Sequence, residues 1–393
     1  MKDFINLLRE SEKVLAKTDW IESLRIFSES RFRKQGFPLV KNDEWIYTKT
    51  FPIEQSNFIF NYSTKIVEEE NTFLFNNSTI SYGNLEEGIE VIKIEDVKND
   101  NEFLNKIIEN EKDYIFTNLN YSFFNQGLVI NIKKNLKKDV KLIYNLEKGF
   151  CTFLFILINI KENLNVSIIE KTSSEENSFG NSLSKVYLSK NSSLTYYKIQ
   201  KEKGFKIDNS NFFLEKKSNL KIFTISQGSK ILRNNLNIAL EDEYSNVDAY
   251  SLYYCKENQH IDNNTVIEHL VPNCTSNQLY KGVLEGKSNA AFTGKIFVAK
   301  DAQKTDASQL NKTLLLSDRA EMNTRPQLQI EADDVKCSHG ATIGQLNKEE
   351  LFYLETRGIN KIEAMKILSN AFIEDILGKI KKDLHDEIKE IIL

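Results

Sequence analysis

The sequence predicts a mainly β fold. A parallel β-helix (solenoid) core covers residues 126–345, an N-terminal helical and α+β region covers 1–125, and a C-terminal helical region covers 346–393. Three observations predict it. Helical spacing is confined to the two ends, the text between them reads almost wholly as strand, and one turn signature returns through that stretch. The signature is a pair of mostly small or polar residues, an apolar residue, then alternation. It occurs at Glu162-Asn-Leu164, Ser192-Ser-Leu194, Ser218-Asn-Leu220, Ser245-Asn-Val247, Ser288-Asn-Ala290, Ala320-Glu-Met322 and Asp333-Asp-Val335. Its apolar anchors lie 30, 26, 27, 43, 32 and 13 residues apart. Strand-rich units that return in this way stack as a solenoid. Asn, Ser and Asp suit its corners because their side chains bond local backbone and tolerate left-handed conformations. A Greek-key sandwich is the alternative.

The N-terminal region opens with helical spacing at Phe4, Leu7, Leu8, Val14 and Leu15. A second helix is expected from Asp19, with Glu22 at capping-box distance and Trp20, Ile21, Leu24 and Phe27 as its apolar stripe. Gly36 and Pro38 end it. A compact polar-aromatic stretch follows, Asn42-Asp-Glu-Trp-Ile-Tyr-Thr48. Short strands are expected at Phe58–Phe60, Thr72–Phe75 and Ile89–Ile94, and a short helix at Phe103–Ile108.

Composition excludes several classes. Net charge is -4 and the pI about 5.8, which gives no electrostatic case for nucleic acid. No apolar run reaches the roughly 18–20 residues of a membrane span, and the first ten residues lack the apolar core of a signal peptide. The four cysteines are spread, with no C-x-x-C pair, which fits a reducing, cytoplasmic setting. No phosphate loop, G-x-G-x-x-G or G-x-S-x-G is present, so no ATP is expected on this chain and no catalytic set emerges.

The chemistry-bearing stretch is Glu331-Ala-Asp-Asp-Val-Lys-Cys-Ser-His-Gly-Ala-Thr342. On a strand Cys337 and His339 share a face, about 6.6 Å apart along the chain. A thiolate beside an imidazole suits zinc, copper or iron–sulfur chemistry. Two ligands do not complete a four-coordinate site, so the remainder must come from elsewhere in the fold or from another chain. The plain alternative is a structural Cys beside a surface His. Because this stretch is the last coil before the chain turns helical, it is expected at an open sheet end where a partner can add strands. Cys255, His260, His269 and Cys274 match no ordinary zinc spacing and read as strand and loop residues. Lys295, Lys304, Asp306 and Gln309 are dense enough in polar atoms to line a channel, against the alternative of a solvated strand face.

Toward the end, Lys348–Arg357 reads as a helix stopped by Gly358. Ile362, Met365, Leu368, Phe372 and Ile376 then run at spacings of three and four, and Ile380, Leu384, Ile388 and Ile391 continue the pattern. These helices either pack on their own domain or lie in a partner's groove.

The final third resembles the SufB/SufD family of iron–sulfur cluster assembly proteins, its SufD branch in particular. The resemblance rests on Tyr280-Lys-Gly-Val-Leu284, Ala291-Phe-Thr-Gly-Lys-Ile-Phe-Val298, Ala302-Gln-Lys-Thr-Asp-Ala-Ser-Gln309, Leu314-Leu-Leu-Ser317, the Cys337–His339 stretch and Leu351-Phe-Tyr-Leu-Glu-Thr-Arg-Gly-Ile359. The early Gly36-Phe-Pro and Glu44-Trp-Ile-Tyr-Thr48 are similar to the family's N-terminal signature. The resemblance implies a right-handed β-helix that pairs end to end with SufB, or with a second copy of itself when isolated. It also implies an ATPase, SufC, held by the C-terminal helices, with Ile362, Met365, Phe372 and Ile376 as anchors. The implied cargo is a transient iron–sulfur cluster shared with SufB; a flavin is a further, weaker implication. His339 is then the interface histidine, and Cys337 its neighbour or co-ligand. SufB carries Glu-His-Glu where this chain has Ser338-His339-Gly340, and a cluster cysteine where this chain has Leu310. Both differences favour the SufD branch over SufB, and both fit a site completed in trans; a scaffold subunit without catalysis of its own is expected. The rivals from the residues alone are a β-helix polysaccharide-active enzyme and a metal-free interaction solenoid. Such an enzyme needs a paired carboxylate set, and Asp333-Asp334 are adjacent and would face opposite ways on a strand.

Overall fold

The computed structural model describes residues 18–39, 41–60, 62, 65–97, 114–124 and 126–392. The helix expected around Phe4–Leu15 and the one at Phe103–Ile108 lie outside them. Among the described residues nineteen strands make two sheets. The first are β1 (Thr72–Asn76), β2 (Thr79–Tyr82), β3 (Ile89–Lys93), β4 (Gln126–Ile132) and β5 (Val140–Leu146). Then come β6 (Cys151–Ile160), β7 (Asn165–Ser174), β8 (Phe179–Leu188), β9 (Ser193–Glu202), β10 (Phe205–Leu214), β11 (Asn219–Gln227) and β12 (Ile231–Leu240). The last are β13 (Asn246–Cys255), β14 (His260–His269), β15 (Thr275–Leu284), β16 (Asn289–Val298), β17 (Asp306–Leu315), β18 (Glu321–Ile330) and β19 (Lys336–Gln345). From β4 onward the strands alternate between the sheets and pair in parallel within each. One sheet runs β2-β1-β5-β7 and so on to β17-β19, the other β3-β4-β6 and so on to β16-β18. This is the expected parallel solenoid, with β18 and β19 as its last, unpaired edges.

The true repeat is more regular than the turn signature implied. Vertically stacked residues Ile168, Tyr196, Ile222, Ala249, Gln278, Gln309 and His339 are separated by 26 to 31 residues. The uneven anchor spacing arose because Ala290 and Met322 belong to corners of the second sheet. Corner hydroxyls bond local backbone as expected, but the left-handed positions are not confined to Asn, Ser and Asp. Asn177, Lys217, Tyr244 and Lys304 take left-handed backbone. The next residues, Ser178, Ser218, Ser245 and Thr305, each donate a hydroxyl to the carbonyl three residues back.

Alternation along each strand separates an inner from an outer face. The inner faces meet in an apolar core that includes Ile156, Ile158, Ile160, Val186, Phe212 and Ile238. Both outer faces are also partly covered. Helices α1 (Asp19–Gln35) and α3 (Ile115–Phe123) pack on Phe153, Phe155, Phe179 and Ile207 of the nine-stranded sheet; the one-turn helix α2 (Phe51–Gln55) inserts Ile53 there. Helix α4 (Lys348–Thr356) buries nothing. Helices α5 (Lys361–Leu377) and α6 (His385–Ile392) pack on Ile169, Tyr197, Phe223, Ile225 and Leu252 of the ten-stranded sheet.

Several expectations are corrected. Phe58–Phe60 makes one isolated bridge, Ile59 to Phe150, rather than a strand. Thr18, not Asp19, is the N-cap of α1, and no side chain caps it. The buried stripe of α1 is Ile21, Leu24, Ser28 and Phe32. Phe27 points outward beneath the Arg31 guanidinium, 4.5 Å from its ring. In α5 the buried face is Ala364, Ser369, Ile373, Ile376 and Leu377, rotated from the stripe expected. Ile380, Leu384, Ile388 and Ile391 are buried as expected.

Candidate metal site at the solenoid terminus

Strand β19 lies on β17 with Ala307 opposite Cys337 and Gln309 opposite His339. Ala307, Gln309, Asn311 and Thr313 are the buried, inward residues of β17. Cys337 and His339 therefore also face the interior of the solenoid. The half-buried Cys337 packs on an apolar layer of Ile296, Val298, Ala302, Ala307 and Ala332. His339 is exposed because no coil lies above it. An inward side chain that is nonetheless wet is the signature of an unclosed end. Burial holds the Cys337 thiol above its ordinary value, and the Asp306 carboxylate adds to this. Cys337 and His339 are two donors only, and among the described residues no group of three His, Cys, Asp or Glu gathers as a metal site. The donor types fit iron or an iron–sulfur cluster; the donor number fits only half a site.

The expected polar channel is not formed by the four residues named for it. Gln309 is interior and 2 % exposed. Asp306 is exposed, and an odd offset of three places it on the opposite strand face. Lys295 likewise lies between the buried Gly294 and Ile296, on the outer face. Lys304 is a corner residue paired with Asp334 in solvent. Cys255, His260, His269 and Cys274 are also kept apart. His260 and His269 end the same ten-residue strand, roughly 30 Å apart at strand rise. Desolvation lowers the His269 imidazole to a pKa of about 4 and holds it neutral, bonded to Ser276 at 2.8 Å.

Of the helix anchors, Ile362 is 79 % exposed and Met365 half-buried. Phe372 lies under Lys281, whose Nζ is 4.8 Å from its ring. Ile376 is buried in the chain's own core, so it is not a free surface anchor as it stands.

Two clusters escaped sequence reasoning. Inside the middle coils, Lys198 donates to Asp208 at 2.5 Å and to Ser210 at 2.7 Å, and reaches Glu170 at 3.3 Å. Burial works against charge on Asp208, but Lys198 and Lys206 more than offset it and hold its carboxyl below the usual range. Leu142 lies one rung below Glu170, and Leu154 two rungs below Asp208. Tyr253, Tyr280 and Phe292 fill the interior above it. The second cluster docks the N-terminal region. Arg233 bonds Asp262, the Glu44 carbonyl at 2.8 Å and Asn235 at 2.9 Å, and its guanidinium lies 4.0 Å from the Trp45 ring centroid. Thr48 donates to the same Asp262 carboxylate. Glu44, Trp45 and Thr48 thus act as a clip on the outer face of the nine-stranded sheet. The only signal in the sequence was a 29-residue offset between Arg233 and Asp262, one coil.

The comparisons agree with this architecture. The profile of the SUF system FeS cluster assembly SufBD core domain matches residues 143–372. A SufBD family iron–sulfur cluster assembly protein of Synechocystis is 34% identical over 237 residues, 57% of this chain and 52% of that protein. Escherichia coli SufD is 40% identical over 156 residues, 40% of this chain and 37% of that protein. A SufBD family protein of Mycobacterium leprae is 29% identical over 165 residues, 40% of this chain and 42% of that protein. The alignments thus span about half or less of the curated relatives. No helix among the described residues is long and apolar enough to cross a membrane. With the profile covering more than half of the residues, the chain belongs to the SufBD core family of the SUF system for iron–sulfur cluster assembly.

Proposed function

We propose that this chain is a SufD-like scaffold subunit, without catalysis of its own, which supports assembly and transfer of a nascent iron–sulfur cluster at a junction with SufB. The supporting observation is the pair of inward donors, Cys337 and His339, on the last strand of an open solenoid end. A strand edge presents unpaired backbone groups and accepts further strands. A SufB end set against β18 and β19 would cover both donors and add ligands from its own side. The cluster is cargo, held in part by His339. ATP would be bound and hydrolysed by SufC, docked near α4 and the exposed start of α5, where Phe352, Tyr353 and Ile362 are exposed. A setting in the cytoplasm belongs to the same proposal, and a flavin, if one takes part, would belong to the assembled complex.

His339→Ala tests it. The variant should co-purify with SufB and SufC as the parent does, yet yield less cluster absorbance after anaerobic reconstitution with iron and sulfide. Undiminished cluster formation by the variant would remove His339 from the site.

A further inference from the structure

We infer that Gln309 is the positioning residue of His339, accepting one imidazole N–H and so leaving the other ring nitrogen free toward the open end. The inference rests on the reading of His339 as a cluster-site residue and deepens it.

Gln309 and His339 are partners in strand register, one rung or about 4.8 Å apart. Gln309 lies in the interior and its amide nitrogen donates to the Gly294 carbonyl of the opposite sheet at 3.2 Å. A Cβ at position 294 would sit 2.6 Å from Cδ, Nε2 and Oε1 of Gln309, so the amide occupies space that only glycine leaves open. Its carbonyl oxygen Oε1 is fully buried and has no hydrogen-bond partner. Buried acceptors are satisfied in the large majority of cases, so an orphan in the layer beneath a ligand histidine calls for a donor. One rung below, Gln278 accepts from Thr265 at 3.3 Å and has an orphan Nε2. Even if that donor reaches up, a carbonyl oxygen keeps a second lone pair. The exposed His339 ring, which makes no hydrogen bond among the described residues, would be the donor on the other side. Histidines that bind metal almost always donate their second N–H to such an acceptor, which fixes tautomer and ring orientation; losing it costs roughly 10–100-fold in affinity or activity.

The test uses the full chain, with labelled 15N-histidine, in complex with SufB and SufC. Solid-state 15N spectra read the tautomer of His339, assigned by its loss in His339→Gln. The parent should show one tautomer. Gln309→Leu, which removes the acceptor, should show both, and its cluster formation should slow about tenfold. Gln309→Glu keeps an acceptor and should keep one tautomer. Gly294→Ala displaces the amide while leaving Gln309 in place, and should mimic Gln309→Leu. An unchanged His339 tautomer in folded Gln309→Leu or Gly294→Ala overturns the inference, as does a tautomer mixture in the parent complex, which needs no variant to fold. If His339→Ala forms cluster normally while the tautomer still follows Gln309, the cluster role fails and the positioning stands.

Discussion

Replacing Lys198 by Met should be among the most damaging single changes in the solenoid. The ammonium, Glu170 and Asp208 have side chains 3 %, 4 % and 5 % exposed, so water screens little. Removal strips two carboxylates of their shared cation, and Lys206 is the remaining cation acting on Asp208. Breaking a buried pair by deleting one partner costs about 3–5 kcal/mol. At a urea m-value of about 3 kcal/mol/M, 4 kcal/mol moves the unfolding midpoint down by roughly 1.3 M. Lys198→Met/Asp208→Asn should recover a large part of this, because one stranded charge is gone. The pH dependence follows from sign. In the parent, Asp208 is held below its unfolded value, so its contribution is present above the ordinary carboxylate pKa and is lost as pH falls through the depressed one. In the variant Asp208 keeps only Lys206 in a dry site, so its folded value rises and the penalty applies when it is charged. The gap between parent and variant should therefore narrow as pH falls from 7 toward about 4. Urea melts followed by far-UV circular dichroism at both pH values decide it. A Lys198→Met midpoint within 0.3 M (about 1 kcal/mol) of the parent would refute an ionised buried cluster.

Three further outcomes follow from packing and charge. Gly282→Ala would place a Cβ 2.1 Å from the buried Tyr253 ring, whose hydroxyl is tied to Asn311 and Thr313 at 3.0 Å; overpacking should cost about 1–3 kcal/mol, relieved in Gly282→Ala/Tyr253→Leu, and an additive double variant would contradict the contact. Ile376→Ala should lose about 2–4 kcal/mol as a core residue, whereas Ile362→Ala should stay within about 0.5 kcal/mol and reduce SufC capture; equal melting points for the two would undo the assignment of faces on α5. Arg233→Met leaves Asp262 buried without its cation, so the Glu44–Thr48 clip should loosen, with a red shift in Trp45 emission and faster proteolysis before residue 60; an unchanged spectrum and digest would show that the clip does not depend on the ion pair.

By itself the sequence determined the solenoid, its flanking helices and the strand that carries Cys337 and His339. These are local facts: period-two alternation, small polar corners such as Ser218 and Ser245, and two donors two residues apart. It misread the spacing of the repeat because corners of both sheets look alike along the chain and become distinct only when the coils stack. The face of α5 was decided by what it meets: Ile373, Ile376 and Leu377 join the apolar cluster on the outer face of the ten-stranded sheet, with Phe223, Tyr250 and Leu252, which a helical wheel of α5 alone does not specify. Lys198 and Asp208 are ten residues apart, on strands of different sheets, so no periodicity joins them; only closure of the coil brings ammonium and carboxylate together. Stacking likewise sets Gln309 beneath His339, a relation between positions thirty residues apart that exists because one coil lies on the next.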